Sequence, residues 1–151
     1  MKIRKATQKD AKKISNFIIR IFKEFNGKHS TKEGIRFFTE TYNKKNIEKK
    51  WADDYVIIMG FNGKIIGVGR AKRDGWITHC YIDKKYMRKG IGSILMNKLE
   101  KWIKQTKKNK VLLNSSPFAS KFYKKLGYKQ KGKKKLYHGI LLYPMVKQIK
   151  K

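Results

Sequence analysis

Acidic residues are scarce in this chain: ten Asp and Glu face 40 Lys and Arg, a formal charge of +30. A field of that sign draws in polyanions and steers anionic ligands. Arginine is scarce as well, with only Arg4, Arg20, Arg36, Arg70, Arg73 and Arg88 among those cations. Arg is the side chain that grips phosphates and bases bidentately, and the lysines are spread over the whole chain. The surplus therefore reads first as a lysine-rich surface and second as a nucleic-acid site. A ligand carrying several phosphates would exploit the same field. The single cysteine, Cys80, excludes an intramolecular disulfide and a Cys-rich metal site. Set in an apolar stretch, it reads as a buried strand thiol rather than a nucleophile. His29 and His138 have no carboxylate or thiolate at metal-ligand spacing, so no metal is expected. No run of about 18 apolar residues exists, which excludes a transmembrane helix. The stretch Met1-Lys2-Ile3-Arg4-Lys5 leads into charged residues without a hydrophobic signal region, and the expectation is a cytoplasmic protein.

Hydrophobic residues make up 40% of the 151, enough for one globular domain, 1–151, that buries roughly two thirds of its unfolded surface. Lys2 to Ala6 reads as a short strand. Thr7 or Asp10 can cap a helix with Ala11, Ile14, Phe17, Ile18, Ile21, Phe22 and Phe25 at helical spacing, ended by Asn26-Gly27. A weaker helical region covers Lys32 to Trp51, broken near Asn43–Asn46. Tyr55–Phe61 and Lys64–Arg70 flank Asn62-Gly63, a strong hairpin signal. Asp74-Gly75 turns the chain into a third strand, Trp76–Ile82. A helix from Gly90 to Thr106 would bury Ile91, Ile94, Leu95, Leu99, Trp102 and Ile103. Val111–Asn114 is a short strand, Pro117 opens a helix running to Leu126, and Gly127 ends it. Tyr128–Lys131 and His138–Met145 close as a strand pair around a Gly132–Lys135 loop. Gly67-Val68-Gly69 lies inside a strand and reads as a bulge or a close backbone contact. The order β-α-α-β-β-β-α-β-α-β-β describes a mixed α/β domain with helices over a central sheet.

Chemistry concentrates between Tyr81 and Ser93. A strand ends at Ile82, a loop crosses, and a helix opens with Gly90 and Gly92 in its first turn. Unpaired N–H groups at a helix start form an anion site, glycines let a pyrophosphate approach, and Arg88 and Lys89 add charge beside it. A tight strand-to-helix turn would carry the same glycines. Some 24 residues on runs Ser116-Pro117-Phe118-Ala119-Ser120-Lys121-Phe122-Tyr123, and then Leu126-Gly127-Tyr128.

The first segment resembles the pyrophosphate motif of the Gcn5-related N-acetyltransferase (GNAT) family: Arg or Gln, two residues, Gly, one residue, Gly or Ala. The second resembles the same family's Asn-x-x-Ala motif, followed by a Tyr four residues later and a Gly with an aromatic. His138-Gly139-Ile140 to Pro144-Met145 resembles the last strand of some members. The resemblance covers nearly the whole chain and implies a GNAT-like acyl-CoA N-acyltransferase fold, a central mixed sheet flanked by helices. It implies acetyl-coenzyme A as co-substrate, lying where the strands ending at Ile82 and Asn114 splay apart. It also implies direct attack of a neutral amine on the thioester, without a metal. Backbone groups at Tyr81 and Ile82 would meet the pantetheine arm. Met87, Arg88, Lys89, Gly90, Ile91, Gly92 and Ser93 would hold the pyrophosphate, with Asn114 and Ser116 alongside. The chain departs from the pattern at Met87, where the family has Arg or Gln, and at Ser116, where it has Asn.

Tyr123 stands at the family's general-acid position, and a phenol, with a reference pKa of about 10, suits protonation of a thiolate. His79 could serve as the base for the departing proton, or it could be a hydrogen-bonded structural imidazole. Strand alternation puts it on the face opposite Cys80. Asp74, Asp53 and Asp54 read as turn formers. The acceptor stays open among small-molecule amines, polyamines, antibiotics, protein N-termini and lysine side chains. The charge disfavours polycationic acceptors unless Glu33, Glu40, Asp53 or Asp54 forms an acidic patch. The alternative reading is a basic module bound to nucleic acid or ribosomes that keeps the fold and does little catalysis.

Overall fold

A computed structural model describes residues 1–149; the last two residues of the expected 1–151 domain lie outside the described residues. The elements in chain order are β1 (Lys2–Lys5), α1 (Ala11–Asn26), α2 (Lys32–Thr41), α3 (Lys44–Lys50), β2 (Tyr55–Phe61), β3 (Lys64–Ala71), β4 (Ile77–Ile82), α4 (Ile91–Gln105), β5 (Lys110–Ser115), α5 (Ser120–Lys125), β6 (Lys129–Gln130), β7 (Lys135–Tyr137) and β8 (Ile140–Gln148). This is the mixed α/β arrangement expected from the pattern.

Strands β1-β2-β3-β4 form an antiparallel meander in that order. Asn62 (φ 52°) and Gly63 (φ 73°) both adopt the left-handed conformation between β2 and β3, as a two-residue hairpin of this hand requires. On β2, Val56, Ile57, Ile58 and Met59 are all buried. Helices cover both faces of this strand, so its apolar run is continuous rather than alternating. One face carries α4, whose Leu95 and Leu99 lie against β3. A Cβ built on Gly67 or Gly69 would come within 3.2 Å or 3.0 Å of those leucines, so the two glycines let the helix settle onto the strand. The other face carries α1, with Ala11, Ile14, Phe17, Ile18, Ile21 and Phe22 buried. Helices α2 and α3 add Phe38, Ile47 and Trp51 to the same layer.

A second antiparallel sheet has the order β5-β8-β6, with β7 paired to β8. The two sheets touch through a single parallel bridge, Trp76 with Leu112. Thus the mixed character of the central sheet resides in one contact, and that contact positions the site.

Four details correct the reading of the sequence. Ile94 is exposed and Trp102 only half-buried, while Met96 is buried on α4 instead. Helix α5 begins at Ser120, because residues 117–119 form a turn in which Ala119 N–H reaches both the carbonyl and the Oγ of Ser116. Lys135 belongs to a strand, β7, that hairpins onto β8 through His138 and Gly139. Asp54 accepts from Arg70 Nε at 2.8 Å, and both side chains are buried, so it is a core ion-pair partner rather than a turn former.

Candidate active site

Strands β4 and β5 run side by side only at Trp76 and Leu112, where Leu112 N–H donates to Gly75 C=O at 3.0 Å. Beyond that bridge they separate. The backbone groups freed on the facing edges open onto a cavity of about 950 Å³. Thr78 to Ile82 line one side and Leu113, Asn114 and Ser116 the other.

One end of the cavity is the start of α4, where Met87, Arg88, Gly90, Gly92 and Ser93 line the wall. Arg88 (φ 61°) and Gly90 (φ 81°) both take left-handed backbone, which turns the chain sharply into the helix. The N–H groups of Ile91, Gly92 and Ser93 have no acceptor among the described residues, as a first helical turn dictates. A Cβ on Gly90 would meet nothing within 4 Å, so the space beside these donors is open. Gly92 answers a different need: a Cβ there would lie 2.8 Å from the Phe122 ring, so this glycine lets α5 pack on α4. Ile91 is a core residue and contributes only backbone. Lys89 lies outside the cavity lining, with its ammonium 5.9 Å from the Tyr86 ring centroid. Lys121 and Lys125, one turn apart on α5, do line the cavity. Their i, i+4 spacing around Tyr123 is the signal the sequence carries for them, and among 40 cations it is not distinctive.

Tyr123 is buried between the rings of Phe122 and Tyr128, at 5.1 and 5.8 Å. Its hydroxyl bonds to no other described residue, yet no fully buried side-chain oxygen among the described residues lacks a partner. The hydroxyl is therefore at the cavity surface. Burial, with Cys80 and Tyr81 nearby, pushes this phenol well above its ordinary pKa and keeps it protonated. The Cys80 thiol is pushed up to about 12 by burial, and its Sγ lies 3.7 Å from the Gly92 carbonyl. That is a structural thiol.

His79 and Tyr81 project to the opposite face of β4, toward α1 and α2. The imidazole is 2% exposed and is ringed by Tyr42 (4.7 Å), Tyr81 (5.2 Å) and Trp51 (5.3 Å), with Nδ1 2.8 Å from Thr78 Oγ1. Burial, reinforced by the nearby Arg70 charge, lowers its pKa far below the ordinary value. It is neutral wherever the protein is folded near neutral pH. Asn114 and Ser116 reach the cavity wall, with Ser116 Oγ engaged by Ala119 N–H at 3.2 Å.

The sequence reading missed the far end of the cavity, which is a chamber of rings. Phe22 and Phe25 come from α1, Phe37 and Phe38 from α2, Tyr42 from its C-cap and Tyr137 from the β7–β8 hairpin. Helical spacing marks Phe22 and Phe25 as part of the apolar face of α1, whereas Phe37 and Phe38 lie in the weaker helical region. Nothing local in the sequence shows that Phe37 and Tyr137, a hundred positions apart, are neighbours at 5.8 Å.

Comparison with solved structures places this architecture. A GCN5-related N-acetyltransferase (described also as aminotransferase, class-II) from Rhodopseudomonas palustris superposes with a TM-score of 0.85 at 17% identity, covering 98% of this chain and 95% of that one. PaiA N-acetyltransferase from Thermoplasma acidophilum, in complex with coenzyme A, gives 0.79 at 19% identity, covering 97% and 98%. An acetyltransferase of the GNAT family from Staphylococcus aureus Mu50 gives 0.76 at 17%, covering 99% of each. At such identities the likeness establishes the fold. No curated protein sequence matches. Residues 27–149, however, match the acetyltransferase (GNAT) domain, and with most of its length so matched the chain belongs to the GNAT acetyltransferase family.

Proposed function

We propose that this single-domain protein is a cytoplasmic N-acetyltransferase that uses acetyl-coenzyme A and acetylates an amine. The observation that carries the reading is the position of Tyr123. A protonated, unpartnered phenol opens into a cavity that also takes in the N-terminus of α4 and is lined by Arg88, Lys121 and Lys125. The residues present fit the co-substrate. The free N–H groups of Ile91, Gly92 and Ser93 and the open space at Gly90 suit a pyrophosphate. Separated strand edges at β4 and β5 leave backbone groups for an amide-bearing arm. Arg88 supplies charge next to Met87, the position at which the family pattern has Arg or Gln.

The amine nitrogen forms its bond to the thioester carbonyl carbon, and the carbon–sulfur bond then breaks. Tyr123 gives its proton to the departing sulfur and regains one from solvent. The nitrogen sheds its extra proton toward the polar groups of the chamber, where the hydroxyls of Tyr42 and Tyr81 bond to no described residue and the neutral His79 lies beside them. His79 is a relay in this scheme, since an imidazole with so low a pKa is a weak base.

Calorimetric titration with acetyl-coenzyme A, dephospho-coenzyme A and ATP at near-physiological salt tests the first half. Saturable one-site binding of acetyl-coenzyme A, much tighter than ATP, is expected. Equal weak binding of all three would overturn the reading. For the second half, Tyr123→Phe is expected to lower kcat about 100-fold while acetyl-coenzyme A affinity is kept. Full turnover in that variant would remove Tyr123 from the chemistry.

A further inference from the structure

Resting on the N-acetyltransferase reading, we propose that the acceptor is a hydrophobic monoamine: one primary amine on an uncharged aromatic or hydrocarbon body. The cavity divides by chemistry along its length. Its cations, Arg88, Lys121 and Lys125, sit at the α4–α5 end. At the other end the walls are rings, with Phe22 and Phe38 stacked at 3.8 Å and Tyr81 parallel to Phe38 at 6.3 Å. Beside this half the β7–β8 hairpin is tied to α2. Thr31 N–H donates to Gly139 C=O at 2.9 Å, and His138 stacks on Phe37 at 4.1 Å.

Among the described residues no Asp or Glu lines the cavity. Six of the ten acids are engaged by cations elsewhere: Asp10, Glu48, Asp54, Asp74, Asp83 and Glu100. The acidic patch that would admit a polycation, built from Glu33, Glu40, Asp53 or Asp54, does not face the site. A second ammonium in this chamber would be desolvated without a counter-charge. An acceptor carboxylate fares no better, because Arg70 is already bound by Asp54 and His79 is neutral. A single ammonium is tolerated on arrival, since ring faces attract a cation, and the hydroxyls of Tyr42, Tyr81 and Tyr123 can accept from its N–H groups. An apolar body gains by covering the rings.

The test uses the full chain at about 0.3 M NaCl, where the general field is screened to within a few ångströms. Thiol release from acetyl-coenzyme A is followed with 2-phenylethylamine and hexylamine against spermidine, lysine and kanamycin. The apolar monoamines are expected to exceed the others in kcat/KM by about 100-fold, the scale on which a desolvated, unpaired charge is rejected. Preference for spermidine, lysine or kanamycin would overturn the proposal. Thermal-shift titration with the same amines, without co-substrate, separates the two readings. A chamber that binds 2-phenylethylamine but not spermidine supports the acceptor class even if acetyl transfer is absent, and the reverse order refutes it even if transfer occurs. Phe37→Glu, at a half-buried wall position, is expected to cut the preference for 2-phenylethylamine over spermidine at least 10-fold. An unchanged preference with an unchanged melting temperature would place the acceptor elsewhere.

Discussion

At the residue scale, the buried polar cluster beside the site explains a group that the sequence left with two readings. His79 sits under Trp51, Tyr42 and Tyr81, and the Arg70–Asp54 pair lies at the same place, with the guanidinium 4.2 Å from the Trp51 ring centroid. The imidazole must stay neutral because burial and a neighbouring positive charge both oppose protonation. Unfolding releases that constraint, so below the ordinary pKa of 6.5 the unfolded chain takes up a proton that the folded one refuses. Stability from this group is therefore complete above pH 6.5 and falls as pH drops, by up to about 1.4 kcal/mol per pH unit. Urea unfolding at pH 7.5, 6.5 and 5.5 should show that loss in the parent chain and a shallower one in His79→Phe. Equal slopes would mean that His79 is protonated in the fold. The sequence placed His79 on the face opposite Cys80, correctly, because alternation is a local property of a strand. It could not pair Asp54 with Arg70, because nothing in a turn's composition reveals which strand will pass beside it.

At the scale of elements, the joint between α2 and the β7–β8 hairpin is the one most exposed to a single change. Gly34 lies in the first turn of α2, its N–H donating to the capping Thr31 Oγ1, where Ala would ordinarily be accepted at least as well as Gly. Here a Cβ would stand within contact-forbidding range of the Gly139 backbone carbonyl, and backbone cannot swing aside as a side chain can. Gly34→Ala is expected to lower stability by about 1–3 kcal/mol and to free the hairpin from Phe37. Chemical denaturation checks the first part, and increased cleavage by trypsin after Lys133–Lys135 checks the second. A stabilised variant would show that the hairpin is not held at this point. The major elements were legible because α1 and α4 carry apolar positions at the helical period, while β2 and β3 are short apolar runs on either side of an Asn-Gly turn. Strand β7 starts at Lys135, the last residue of the Lys133-Lys134-Lys135 run, and is only three residues long. Its three residues are exposed and pair only with β8, so burial left no pattern in them. Pro117 suggested a helix start, but the Ser116 hydroxyl captures Ala119 N–H and holds a turn there instead.

At the scale of the molecule, charge dominates. Among the described residues six ion pairs engage six of the ten carboxylates, against 40 cations in the chain, so positive charge repels positive charge over most of the surface. Raising NaCl from about 20 mM to about 300 mM shortens the Debye length from roughly 20 Å to under 6 Å and should raise the melting temperature by several degrees. A fall would mean that the six pairs outweigh the repulsion. The same screening would weaken any hold on nucleic acid. Steep salt dependence alone therefore cannot favour a binding module over an enzyme, whereas sequence-selective binding at physiological salt would. By itself the sequence determined the order of the major elements, though not β7 or the separate α3, together with the helix start with its two glycines and Tyr123 in its motif. These depend on residues within a few positions of each other, where period, capping and backbone freedom decide. Only the tertiary structure decided that β4 and β5 share one bridge and then part, that Gly92 serves Phe122, and that rings from α1, α2 and a distant hairpin enclose a chamber without a carboxylate. Those are contacts between residues far apart in the chain, selected by how whole faces pack, and no local pattern records them.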